Sequence, residues 1–72
     1  MSTLLETIAD ELARDVLDAA EAAGDDELVD KVAKSIGVAS PTFQEAFSTA
    51  VRIRRAERRG REALATLIKQ RT

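Results

Sequence analysis

The densest chemistry in the chain lies between Val51 and Arg61, in the stretch VRIRRAERRGR. A guanidinium is planar, always charged, and carries forked N–H donors that match phosphate and carboxylate oxygens. On a helix, Arg54, Arg58 and Arg61 make one row and Arg52, Arg55 and Arg59 another. Ile53, Ala56, Gly60 and Leu64 fall on the opposite side, so one side packs and the other presents up to six guanidiniums. Four readings compete. The arginines hold a nucleic-acid backbone, where such contacts position a protein without reading sequence. Alternatively they bridge to acids of the N-terminal half, within the fold or across a dimer. A third reading is an anionic membrane surface, against which the absence of Trp and the many alanines argue. The fourth is a solvated face with no partner.

The acids are as unevenly placed as the bases. Residues 1–31 carry −8 and residues 32–72 carry +6, which balance to the net charge of −2. For a polyanionic partner the local field matters more than the net value, so the second half is the part that attracts one. Glu11, Asp15, Asp18 and Glu21 form an acidic row on the first helix. It reads as a solvated face, or as a docking patch for a basic protein or for the arginines of another copy.

No His, Cys, Tyr or Trp occurs. That removes the usual general base near neutral pH, the thiolate nucleophile and the soft metal ligands. Asp25 and Asp26 read as helix-capping residues rather than a catalytic pair. The three glycines are isolated, so no phosphate-cradling loop is present. The reading is therefore a non-enzyme with no cofactor and no metal site.

The elements that must position these side chains are helices. Thr3 caps the first, with Glu6 completing a capping box, and the helix runs from about residue 4 to 23. Leu5, Ile8, Leu12, Val16, Ala19 and Ala23 make its expected buried stripe. Leu4, Ala9, Ala13, Leu17 and Ala20 widen that stripe enough to meet more than one neighbour. Asp10 and Arg14 form a favourable pair along the helix, and Gly24 is its left-handed stop. A second helix spans about 26–36, capped by Asp25 or Asp26 and closed by Gly37, with Leu28, Val29, Val32, Ala33 and Ile36 inward. Ser40 caps a third, with Pro41 at its first position. It spans about 41–70, and Gly60 is the one place where a break is open. The apolar row Ile53, Ala56, Gly60, Leu64 and Leu67 keeps step across that glycine and favours continuity. If the helix breaks, Leu64, Leu67 and Ile68 turn inward from a fourth helix.

The fold expected is all-α: one domain over residues 1–72, a small three- or four-helix bundle with a helix-turn-helix-like hairpin and a long C-terminal helix. At 72 residues without cysteine the chain is marginal alone, so pairing with a second copy is a natural route to stability. No apolar run reaches the roughly 18 residues a bilayer requires, and the N-terminal residues do not read as a signal peptide. The expected location is the cytoplasm. The richness in Ala and Arg suggests a GC-rich bacterial genome.

Val32, Ile36, Val38, Phe43 and Ala46 occupy the spacing of buried positions in two helices around a short turn, with small Ala33 at the crossing and Gly37 at the turn. The wording IGVASPTFQEAF resembles the turn and recognition helix of bacterial transcriptional regulators of the helix-turn-helix type. The resemblance covers about twenty residues, and a packing hairpin of a bundle accounts for the same spacing. It implies that Thr42, Gln44, Glu45 and Ser48, with Ser40 at the helix start, face the major groove. Gln pairs with adenine and Glu accepts from cytosine. No Arg or Lys lies among them, so the commonest guanine contact is missing and specificity rests on weaker contacts or on DNA shape.

The function expected is therefore a small regulatory nucleic-acid-binding protein, DNA for preference, with Arg52, Arg54, Arg55, Arg58, Arg59 and Arg61 on the backbone. The alternative is a helical protein–protein adaptor or inhibitor, homodimeric and acting through acidic helix 1, without nucleic-acid binding.

Overall fold

The computed structural model describes residues 3–71, and the expected domain's Met1, Ser2 and Thr72 lie outside them. Three helices follow one another: α1 (Leu4–Ala23), α2 (Glu27–Ala39) and α3 (Pro41–Gln70). There is no strand among the described residues, and all three helices pack on one another. The fold is a small all-α bundle.

Local chemistry accounts for where each helix begins and ends. The Thr3 hydroxyl accepts from the Glu6 amide at 3.1 Å and starts α1. Gly24 ends it at φ 63°, a left-handed conformation in which a Cβ would be strained. The Asp25 carboxylate accepts from the Glu27 amide at 3.0 Å at the head of α2. Ser40 Oγ accepts from the Phe43 amide at 3.1 Å, and Pro41 takes the first position of α3. Gly60 does not interrupt α3, which is continuous to Gln70.

The second helix departs from expectation. It runs through Gly37 to Ala39, so the turn between α2 and α3 is the single residue Ser40. Val38, expected among buried positions of the hairpin, is 91% exposed. Gly37 has another use. A Cβ there would stand 2.5 Å from Gln44 Nε2 and 2.7 Å from its Cδ. The missing side chain makes room for Gln44, whose amide donates to the Ala33 carbonyl at 2.9 Å and ties α3 to α2.

The core is built mainly from small residues of α1 against α3. Ala9, Ala13, Val16, Leu17 and Ala20 are buried from α1, Val29 from α2, and Phe47, Ala50 and Val51 from α3. Phe47 is the largest fully buried side chain, worth roughly 1.5–3 kcal/mol of burial. The flanking alanines explain the rotation of α1 from its expected stripe. Alanines let the α1 and α3 backbones approach around Phe47, and the larger Ile8 is left half-exposed outside the contact, as Ala19 and Ala23 are exposed. Leu12 alone of the other large stripe residues packs against the core edge.

Length decides the rest. At 1.5 Å per residue α1 reaches about 30 Å and α3 about 45 Å. Asp10 meets Arg54 while Asp18 and Glu21 meet Arg58, so α1 and α3 run in the same sense. The C-terminal third of α3 therefore overhangs the bundle, and every described residue after Arg58 is exposed. Ile53, Leu64 and Leu67, expected inward, are 63, 58 and 58% exposed, and Ile68 is 56% exposed. Leu64, Leu67 and Ile68 lie on the overhang, with no element opposite them, whereas Ile53 borders an open groove beside α1.

Candidate nucleic-acid interface and the arginine rows

The two arginine rows meet different fates. Arg54 is held in a two-pronged pair with Asp10: Nε donates to Oδ1 at 2.7 Å and Nη2 to Oδ2 at 2.8 Å. Arg58 Nη2 donates to Asp18 Oδ1 at 2.7 Å, and Nη1 to Glu21 Oε2 at 3.4 Å. Arg61 turns back one helical turn to Glu57, with Nη2 to Oε2 at 3.0 Å. Three of the six arginines expected to hold a nucleic-acid backbone are thereby engaged within the chain. Arg54 and Arg58 join α3 to α1, as the reading of bridges to acids of the N-terminal half expects, because α1 and α3 pack directly and bring opposite charges together across their seam. Part of the acidic row is likewise used inside the fold, while Asp15 meets Arg14 at 3.3 Å. Arg14 does not take Asp10, which prefers the forked partner.

The electrostatics follow from that geometry. The Arg54 hydrogen bonds, opposed by partial desolvation and reinforced by the charges of Arg54 and Arg14, hold the Asp10 carboxyl below its ordinary value of 3.8. The same hydrogen bonding raises Arg54, which is charged at any accessible pH regardless.

Arg52, Arg55 and Arg59 are different. All three are exposed, and none has an ion pair among the described residues. They span about 10 Å along one side of α3, within roughly a sixth of its circumference. Ser48 lies on the same side one turn earlier, half-buried.

The residues implied by the helix-turn-helix resemblance do not share one face. Ser40 is consumed as the cap of α3 and Gln44 as the tie to Ala33. Thr42 and Glu45 point instead into a groove between α1 and α3. Ser48 stays with the free arginines. The one-residue turn brings the start of α3 close to α2, so that Gln44 is tied to Ala33 while Thr42 and Glu45 stay exposed on the side towards α1.

That groove was not foreseen from the sequence. It is an open cleft of about 820 Å³, with Leu5, Ala46, Ala50 and Ile53 supplying apolar wall. Glu6, Asp10, Glu11 and Glu45 line it against Arg14 and Arg54, so its lining is net acidic. The available signal was the run of Thr and Ala on one side of α3, Thr42, Ala46 and Thr49, too small to fill the space beside α1. Among the described residues no acidic cluster could hold a metal ion, and no helix is long and apolar enough to cross a membrane. No family model, no curated protein and no solved structure matches this chain.

Proposed function

We propose that the protein binds nucleic acid, DNA for preference, through the outer side of α3, as a small regulatory protein of the bacterial cytoplasm. The observation that carries this reading is the row Arg52, Arg55 and Arg59: three exposed guanidiniums on one side of one continuous helix, with no ion pair among the described residues. Their neighbours Arg54 and Arg58 are turned away by the acids of α1, so the basic side is narrower than six arginines suggest. A helix presenting three forks holds phosphates and reads no base edges, so the binding is sequence-tolerant. Of the residues implied by the helix-turn-helix resemblance, Ser48 alone lies on this side, so it is the one candidate for base contact that remains beside the arginines. A homodimer suits this role, because two copies double the number of guanidiniums on the ligand.

The test is fluorescence anisotropy of random duplex DNA across a salt titration. Affinity falls steeply with salt, and the triple variant Arg52→Ala, Arg55→Ala, Arg59→Ala flattens the log–log slope by up to about three, at roughly 0.9 for each phosphate no longer neutralised. An absence of binding at low salt, or an unchanged slope in the triple variant, removes the proposal.

A second reading rests on a separate observation. Leu64, Leu67 and Ile68 are each more than half exposed on a helix end with no neighbour, the mark of a helical protein-interaction module. It predicts association with protein and no retention on DNA at low salt.

A further inference from the structure

The bare end of α3 and the groove beside α1 lie along one side of the same helix. At 3.6 residues per turn, Ala46, Thr49, Ile53, Gly60, Leu64 and Leu67 fall on a single face. In the N-terminal half this face is one wall of the groove. In the C-terminal third it is uncovered apolar surface. We propose that the protein is a homodimer in which the two α3 helices lie antiparallel, face on face, so that the C-terminal third of each docks into the α1–α3 groove of the other copy. A two-fold axis across the middle of α3 meets both requirements at once, and the contact is self-complementary.

Three independent features fit this occupant. The first is length: Gly60 to Gln70 spans about 15 Å, and the groove wall from Thr42 to Ile53 about 16 Å. The second is charge. Residues 61–71 carry Arg61, Lys69 and Arg71 against Glu62 alone. The groove carries four acids against two bases, so a basic end meets an acidic cleft. The third is shape at the axis. Ala56 of one copy comes opposite Gly60 of the other, and a Cβ at Gly60 would find nothing within 4 Å in the single chain. Small residues there let the two backbones approach closely. The same register sets Leu67 on Thr49 and Arg71 beside Glu45. A parallel pair does neither: it leaves the groove empty and stacks Arg61 on Arg61 and Arg71 on Arg71. Arg52, Arg55 and Arg59 lie about a third of a turn from this face and stay uncovered.

The test begins with sedimentation velocity over a concentration series. The expected mass is twice the 7.8 kDa of one chain. Leu67→Glu raises the dimer dissociation constant about tenfold or more by placing a charge in the apolar contact. It leaves the helical circular dichroism of the monomer intact, because Leu67 is exposed there. Glu45→Arg weakens the dimer, and adding Arg71→Glu restores it. Since the chain has no cysteine, disulfide trapping is clean. A mixture of the Thr49→Cys and Leu67→Cys chains gives the mixed disulfide, and neither alone cross-links efficiently. A monomer at every concentration overturns the proposal, as does a Leu67→Cys chain that cross-links to itself in preference to the mixed pair. The pairing stands apart from polyanion binding: a monomer that still binds DNA defeats the pairing alone, and a dimer that ignores DNA defeats the other alone.

Discussion

Asp10 and Arg54 join α1 to α3 through two short hydrogen bonds in parallel, the strongest form of ion pair available to these side chains. Asp10 is about half exposed, so its worth stays near the upper end of the surface range, about 1 kcal/mol. Because its folded pKa is depressed, the contribution is present above the unfolded value near 3.8 and is lost as pH falls through the lower folded value. Asp10→Asn therefore lowers the thermal midpoint by about 4–8 °C at pH 7. The gap between variant and parent narrows as pH falls below the unfolded value and closes once the parent carboxyl is protonated too. Thermal melts from pH 2 to 7 check this, and a gap that is constant with pH defeats it. Gly37 and Gln44 are coupled in another way, by space. Replacing Gly37 with Ala gains helix propensity of about 1 kcal/mol, but the new methyl displaces the Gln44 amide from Ala33 and forfeits a hydrogen bond of similar size. The net change in the parent is close to zero. In a Gln44→Ala background the same substitution stabilises by about 1 kcal/mol, since the obstructing side chain is gone. A urea double-mutant cycle measures that difference, and additivity rules out the coupling.

At the scale of elements, α3 is one helix with three different sides. Phe43, Phe47, Ala50 and Val51 pack inward, Arg52, Arg55 and Arg59 face solvent, and Ile53, Leu64 and Leu67 are bare. The helix starts on the Ser40 cap, which satisfies an otherwise unpaired amide at the head of α3. Because Ser40 is also the entire connection from α2, its loss acts on the hairpin as well as the helix end. Ser40→Ala costs about 1 kcal/mol, measured by denaturant midpoint, whereas Ser40→Asp keeps the cap and costs much less. Equal losses for Ala and Asp would show that the hydroxyl is not acting as a cap.

For the whole molecule, the unequal lengths of the helices are decisive. The packed part ends near Arg58, and every described residue of α3 beyond it is exposed. A chain ending at Glu62 therefore keeps its core. At concentrations where both forms are monomeric, its thermal midpoint lies within a few degrees of the full chain's. A drop beyond about 8 °C, equivalent to 1 kcal/mol or more in a domain of this size, would mean that the overhang supports the bundle. The same overhang contributes to the molecule's 51 Å length and places Leu64, Leu67 and Ile68 far from the turn between α2 and α3.

The helices themselves were legible in the residues. Thr3, Gly24, Ser40 and Pro41 act within one turn of where they stand, so their effects need no distant partner. The continuity of α3 across Gly60 was equally local, because an apolar row in step favours a helix and one glycine costs only about 1 kcal/mol. What the sequence could not determine was the partner of each face. A wide apolar stripe on α1 admits several rotations, and only close approach to Phe47 selected the alanine side. Helical spacing sorted the six arginines into two rows but did not say which row meets the acids of α1. Tertiary packing divided them, because Asp10, Asp18 and Glu21 lie within reach of Arg54 and Arg58 and not of Arg52, Arg55 or Arg59. Gly37 read as a stop because a glycine before Val and Ser-Pro resembles a turn, yet the helix passes through it to admit a side chain from eleven residues past Ala33. Leu64, Leu67 and Ile68 carry the spacing of a buried row and stay exposed, since the helix they belong to outruns every element that could cover it.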